Sequence, residues 1–161
     1  MNKIEKFIAI TDALALESPF ETKLGAIFVK RSVVIGIGYS KYTSRVPKRI
    51  FESHPRSSKW FALHAEIVAL KNALRGNSNI NGSTVIVSGF TKGGNRPISC
   101  RPCGPCVQIL KEYHVQNVIY ATPEGIEESK LADIDETVPV CTSCDQRING
   151  WSRFNGTYGH R

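Results

Sequence analysis

The sequence lacks a long apolar run near its amino terminus, where charged side chains follow Met1 at once in the segment up to Lys6. A signal peptide or a membrane-spanning helix would need such a run. Internal repeats and low-complexity segments are also missing. We therefore expect a cytoplasmic protein with no membrane partner. With 161 residues, 41% of them hydrophobic and 22% charged, we expect a single folded domain over residues 1–161.

The sequence lacks the even number of cysteines that is typical of a disulfide framework. The five cysteines fall into two groups, Cys100, Cys103 and Cys106 and then Cys141 and Cys144. An odd count in close groups is more typical of metal ligation in a reducing compartment than of disulfide pairing. We expect all five to be reduced thiols.

Acidic residues are nearly missing from residues 41–59, which contain six lysines and arginines but only Glu52. The whole chain has a net charge of +7. Such a segment indicates an anionic partner, either a phosphorylated small molecule or nucleic acid, although many basic runs are only solvated surface. Residues 40–59 also show no hydrophobic periodicity typical of a helix or a strand. A connection of that length in a compact domain is often functional.

Hydrophobic patterning predicts an α/β fold. Helical spacing predicts helices over residues 1–16, 60–74 and 106–113. Apolar and β-branched runs predict strands over residues 24–29, 33–37, 84–88 and 115–121. Weaker signals predict a short helix over residues 126–134, an edge strand over residues 138–140, and a tail without assigned elements over residues 140–161. Because helices and strands alternate, we expect a sheet with helical layers.

Two short motifs carry the chemistry. One is His64-Ala65-Glu66, and the other runs from Pro102 through Cys103 to Cys106. Residues two apart on a helix do not share a face, so His64 and Glu66 can face one metal only where a helix begins. Proline suits the first turn of a helix, which places the cysteine pair at a helix start as well. There the helix dipole favours thiolate over thiol.

One imidazole and two thiolates predict a zinc site whose fourth position stays open for water or substrate. Glu66 would then move protons to and from that water, and attack on an electron-poor ring carbon would release an amine. A closed structural site that adds Cys100 to the three ligands is the alternative, but it would give Glu66 no role.

In these motifs the sequence resembles the zinc-dependent cytidine and deoxycytidylate deaminase superfamily, over about residues 4–122. The resemblance implies a three-layer fold with a central mixed sheet of about five strands flanked by helices. It also implies that His64, Cys103 and Cys106 bind zinc and that Glu66 is the catalytic proton shuttle. The length and the histidine ligand are most similar to small deoxycytidylate (dCMP) deaminases of bacterial or phage type, which commonly form homo-oligomers.

Substrate contacts are less well defined by the sequence. Family members commonly carry an asparagine after the second strand, where this chain has Ser40, so Ser40 is a candidate contact for the sugar. His54 and Arg56 are candidates for a substrate phosphate or base, and Tyr120 for stacking on a base, with exposed loop and core packing as the alternatives.

A second, structural zinc is also conceivable. Cys141 and Cys144 have the spacing of half a zinc site, which Cys100 and a histidine would complete. Otherwise they are ordinary thiols.

Three functions follow from these observations. The first is deamination of a cytosine-type base in a free nucleotide, namely dCMP to dUMP. The second is deamination of a base within single-stranded DNA or tRNA, with the basic segment as a channel. The third is a zinc-dependent binding module without catalysis.

Overall fold

The computed structural model describes residues 1–43, 61–97 and 99–134. The helices are α1 (Lys3–Ala15), α2 (Ala65–Arg75) and α3 (Gly104–Glu112). The strands are β1 (Lys23–Lys30), β2 (Val33–Tyr39), β3 (Lys41–Thr43), β4 (Phe61–Leu63), β5 (Thr84–Phe90), β6 (Asn117–Thr122) and β7 (Gly125–Lys130). A short 3₁₀ helix, Leu131–Asp133, follows β7.

Five of these strands form one mixed sheet in the order β2-β1-β5-β6-β7, and β3 pairs with β4 in a small separate sheet. Within the large sheet β5 and β6 are parallel, while the neighbouring pairs are antiparallel. The parallel pair is connected through α3, as a parallel crossover requires. This mixed five-stranded sheet flanked by helices confirms the predicted fold class.

The sheet is buried on both faces, which makes three layers. Side chains of β1 alternate between the faces, so that Phe28 packs in the cluster with α2 and α3, while Ile27 packs in the cluster with Ile8 of α1. The same alternation separates Val85 from Ile86 in β5. Strands covered on both sides are continuous apolar runs, which explains why β1 and β5 were visible in the sequence.

Helix α1 begins where the sequence provides a capping box. The Asn2 side chain accepts a hydrogen bond from the Glu5 backbone, and the Glu5 side chain accepts one from the Asn2 backbone. These two bonds satisfy amide groups that have no partner within the helix. The capping box thereby fixes where α1 begins.

Two glycines of β2 allow α2 to lie directly on the sheet. A Cβ atom at Gly36 would come within 2.6 Å of the Ala69 carbonyl oxygen, and one at Gly38 within 2.5 Å of the Ala69 amide nitrogen. Real Cβ atoms do not approach backbone atoms this closely. The separation of α2 from the sheet therefore depends on these glycines.

Two element predictions need correction. The second helix begins at Ala65 and not at residue 60, because Phe61–Leu63 pairs with Lys41–Thr43 as strand β4. The helix predicted over residues 126–134 is wrong. A two-residue connection after Thr122 turns the chain back, and Gly125–Lys130 pairs antiparallel with β6 before the 3₁₀ turn. Most of β7 is exposed, so it has no buried stripe to give a period.

The predicted edge strand over residues 138–140 and the tail over residues 140–161 lie outside the described residues. Among the described helices, none has both the length and the apolar character needed to span a membrane.

Candidate metal centre

His64 lies between the last residue of strand β4 and the first residue of helix α2. It is the N-cap of α2, with extended backbone angles of φ −71° and ψ 150°, and its side chain does not cap the helix. An N-cap side chain leaves the helix axis and reaches groups beside the first turn. The imidazole, only 4% exposed, is directed towards the start of α3.

The cysteine pair has the same arrangement on α3. Cys103 is the N-cap, also extended and without a side-chain capping bond, and Pro105 occupies the first turn together with Cys106. Both thiols are buried, with 1% exposure at Cys103 and none at Cys106. The predicted placement of both motifs at helix starts is what the structure shows.

The three side chains meet between the two helix ends. Nδ1 of His64 lies 3.0 Å from Sγ of Cys106 and 3.4 Å from Sγ of Cys103. All three ligand atoms lie within 4.8 Å of one another. Zinc bonds of about 2.0 Å to nitrogen and 2.3 Å to sulfur at tetrahedral angles would separate such atoms by about 3.6 Å. The donor set and its spacing therefore fit one zinc ion.

The electrostatics of the centre favour a cation held by thiolates. The first turns of α2 and α3 both carry the positive end of a helix dipole, which stabilises a negative charge on Cys103 and Cys106. Two thiolates and a neutral imidazole would balance the charge of one zinc ion. Removal from water strengthens this interaction, because the three side chains are buried.

Glu66 lies in the first turn of α2, two residues after His64, and is only 3% exposed. A buried carboxylate is costly unless its surroundings compensate for the loss of water. The helix amino terminus is one such compensation, since it favours negative charge. The structure thus places an acid–base group on the same helix end as one candidate ligand.

Cys100 does not belong to the three-residue group. It is buried, and its backbone amide donates a 3.0 Å hydrogen bond to the carbonyl of Ala121 at the end of β6. Among the described residues, the candidate centre contains His64, Cys103 and Cys106 alone. Cys141 and Cys144 lie outside the described residues, so the second zinc stays a prediction.

Of the four predicted substrate contacts, Ser40 and Tyr120 lie within the described residues. The Ser40 hydroxyl is buried where β1 and β2 meet, 2.8 Å from the hydroxyl of Ser18, and it accepts a 3.3 Å bond from the Leu24 amide. The Tyr120 ring is half-buried on β6 and packs against the core on the α2 side. His54 and Arg56 lie outside the described residues. All four remain predictions.

An ion pair that was not predicted from the sequence lies at the start of the segment leading to Cys103. Arg96 donates from Nη1 to Oδ1 and from Nη2 to Oδ2 of Asp12 in α1, the latter over 2.8 Å. The hydrogen bond that Arg96 donates to Asp12 is the main reason that the pKa of Arg96 is raised, and burial acts in the opposite direction. The Asp12 side chain is only 21% exposed, but its residue type does not distinguish it from the exposed polar residues of α1.

The chain matches the family model described as the cytidine and deoxycytidylate deaminase zinc-binding region over residues 1–122. This match covers well over half of the chain, and the protein belongs to this family of zinc-dependent deaminases. Among curated proteins, none matches the sequence significantly.

Solved structures are similar to this chain at low sequence identity. Cytidine deaminase from Burkholderia pseudomallei is 20% identical, with a TM-score of 0.59 over 80% of this chain and 93% of that one. The dCMP deaminase of cyanophage S-TIM5 is 19% identical, with a TM-score of 0.48 over 71% of this chain and 79% of that one.

A diaminohydroxyphosphoribosylaminopyrimidine deaminase/reductase from Thermotoga maritima is 21% identical, with a TM-score of 0.48 over 72% of this chain and 28% of that one. At 20% identity the likeness to the Burkholderia pseudomallei cytidine deaminase concerns the fold alone.

Proposed function

We propose that the protein hydrolytically deaminates the cytosine base of a free nucleotide, converting dCMP to dUMP with release of ammonia. The observation that carries this proposal is the meeting of His64, Cys103 and Cys106 between two helix ends, beside a buried glutamate on one of them. Membership of a zinc-dependent deaminase family supports the reaction type.

His64, Cys103 and Cys106 would hold the zinc ion. Zinc, when bound, supplies the Lewis acidity that makes water nucleophilic at neutral pH. Three protein ligands leave one coordination position for the reaction, which is the pattern of catalytic sites and not of structural ones. The buried position of the three side chains keeps bulk water from competing with the substrate.

Glu66 would move the protons. In hydrolytic deamination, water adds to C4 of cytosine, the C4–N bond to the exocyclic amine breaks, and ammonia leaves as C4 becomes a carbonyl carbon. The carboxylate of Glu66 accepts a proton from the attacking water and passes it to ring nitrogen N3, and then takes the remaining hydroxyl proton and delivers it to the leaving amine. A single carboxylate therefore acts first as a base and then as an acid.

The choice of dCMP rests on charge and on the family. The net charge of +7 favours a substrate that carries phosphate. The family comprises enzymes for cytidine and for deoxycytidylate, and a phosphate distinguishes the second from the first. Deamination within single-stranded nucleic acid uses the same zinc chemistry and is the competing function.

The test is an ammonia-release assay of the zinc-loaded protein against dCMP, CMP, dCTP, deoxycytidine and single-stranded DNA. We expect dCMP to be turned over with the highest kcat/KM. A mononucleotide reaction should lose little activity between about 50 and 200 mM salt, whereas nucleic-acid binding weakens steeply over that range. Turnover of DNA alone, with a steep salt dependence, would replace the proposed substrate. A wild-type protein that binds zinc but deaminates none of the five substrates would contradict the proposal altogether.

A further inference from the structure

The loop between β5 and α3 carries Cys103 to the candidate metal centre. Its first part is a hydrogen-bonded turn. The Thr91 amide donates to the Asn95 carbonyl over 2.8 Å, and the Gly94 amide donates to the Thr91 carbonyl over 2.9 Å. The loop then runs from Arg96 to Cys103, the N-cap of α3. The position of Cys103 therefore depends on how this second part is held.

Arg96 fixes the start of that second part. Both ends of its guanidinium fork bind the two carboxylate oxygens of Asp12 in α1, and Nη1 also donates to the Gly89 carbonyl over 3.2 Å. The guanidinium carbon lies 4.8 Å from the ring centre of Phe90. A bidentate pair stacked on an aromatic ring restrains both the distance and the plane of the guanidinium.

Asp12 is itself held in place before it meets Arg96. Oδ1 of Asp12 accepts a 2.7 Å hydrogen bond from the Ser88 hydroxyl, and that hydroxyl also contacts the hydroxyl of Thr11. Ser88 and Thr11 are fully buried, in β5 and α1. The carboxylate thus has one orientation, set by a helix and a strand of the sheet.

Described residues on both sides of residue 98 are held in place between this ion pair and the metal centre. Pro97 and Pro102 are buried, and the Cys100 amide is hydrogen-bonded to the Ala121 carbonyl. Proline fixes one backbone angle at each of its positions. A displacement of Arg96 would therefore be passed along the chain to Cys103.

We propose that Asp12 and Arg96 are positioning residues of the metal centre, which hold the loop so that Cys103 meets His64 and Cys106 with the spacing that zinc requires. This rests on the proposed role of Cys103 as a ligand. Neither residue contacts the ligand atoms in the structure, so their effect passes through the loop. Their contribution should appear in the affinity for zinc, because a misplaced third ligand weakens binding.

The experiment measures the zinc dissociation constant by competition with a chromophoric chelator, for wild type and for Asp12→Asn, Arg96→Gln, Arg96→Lys and the double variant Asp12→Asn/Arg96→Gln. We expect the dissociation constant to rise about tenfold in each of the two single variants that neutralise a charge, as is usual when a supporting contact of a ligand is lost. The double variant should be no worse than either of these, since both remove the same ion pair. Arg96→Lys should fall in between, because it keeps the charge but not the fork.

The matched control is Lys92→Gln in the same loop. Lys92 also forms an ion pair, with Glu21 over 3.8 Å, but both side chains are largely exposed. Exposed ion pairs of this kind contribute little to the free energy of folding. The zinc affinity of Lys92→Gln should equal that of wild type.

Thermal unfolding with and without zinc separates positioning from general stability. If Arg96 positions the centre, the rise in Tm produced by zinc shrinks in Arg96→Gln. A Tm that falls equally in both forms, with an unchanged dissociation constant, would overturn the inference, as would a wild type that binds no zinc. Because affinity is measured without substrate, failure of dCMP turnover would count against the proposed function alone.

Discussion

Nδ1 of His64 lies 3.0 Å from Sγ of Cys106, although 42 residues separate the two in sequence. One side chain leaves the start of α2 and the other belongs to the first turn of α3. A pair of this kind cannot be made by either helix alone. The sheet brings the two helix ends together, since both α2 and α3 pack on the same face of it.

The first prediction concerns the ligands. His64→Ala or Cys106→Ser should reduce zinc content from about one ion per chain to near zero, because two remaining ligands do not hold zinc tightly. Elemental analysis of purified protein measures this. Cys100→Ser is the control, since Cys100 is equally buried but lies outside the group. Loss of zinc in Cys100→Ser would instead support a closed four-ligand site.

The second prediction separates catalysis from binding. Glu66→Gln keeps the shape of the side chain but cannot accept a proton, so kcat for dCMP should fall by about 10²- to 10⁴-fold. Zinc content should remain unchanged. A variant that retains full turnover would remove Glu66 from the mechanism, and one that loses zinc would make Glu66 a ligand.

The third prediction concerns the close packing of α2 on strand β2. Gly38→Ala places a Cβ within 2.5 Å of the Ala69 amide nitrogen, so the helix must move away from β2. Overpacking of this kind costs about 1–3 kcal/mol of unfolding free energy. Chemical denaturation measures it.

Gly76→Ala provides the matched control for that measurement. A Cβ at Gly76 would have its nearest neighbour at an ordinary 3.5 Å. Its effect should stay within about 0.5 kcal/mol. Equal losses of unfolding free energy in Gly38→Ala and Gly76→Ala would show that the close approach of α2 to β2 is not what requires glycine at position 38.

The fourth prediction is a pH dependence. The pKa of Arg96 is raised by its hydrogen bond to Asp12. A cation with a raised pKa in the folded state contributes stability below its ordinary pKa and loses it only as the pH rises through the folded value. Arginine is charged far above neutrality, so the loss caused by Arg96→Gln, about 1 kcal/mol for a pair of this exposure, should be constant between about pH 6 and 10.

The measurement is the difference in unfolding free energy between wild type and Arg96→Gln across that range, with zinc removed by chelator so that metal binding does not contribute. A difference that declines as the pH approaches 10 would show that the guanidinium loses its proton early.

The sequence predicted those parts of the fold whose burial leaves an apolar pattern in the segment. Val85 and Ile86 lie in a strand covered on both faces, and such a strand is an unbroken apolar run. Strand β7 could not be identified in this way, because it is largely exposed and its Ile126 lies on the surface. What makes β7 a strand is pairing with β6 after a two-residue turn, and pairing leaves no pattern in the segment itself.

The same distinction applies to the candidate site. His64, Cys103 and Cys106 could be predicted as a group because their residue types are rare and their spacing follows from the geometry of helix starts. The contact between Asp12 and Arg96 could not, since 84 residues separate them and both are common surface residue types. Only the folded sheet places the end of β5 beside α1.

The use of two N-cap positions for His64 and Cys103 has a consequence for local motion. An N-cap side chain usually satisfies an amide of the first turn, and its loss costs a helix about 1 kcal/mol. Neither His64 nor Cys103 does so here. The amino-terminal turns of α2 and α3 therefore lack the stabilisation that a side-chain capping bond provides. The amide hydrogens of these two turns should exchange with solvent before those of the rest of each helix. A ligand that binds both helix ends at once would slow amide hydrogen exchange in both turns together.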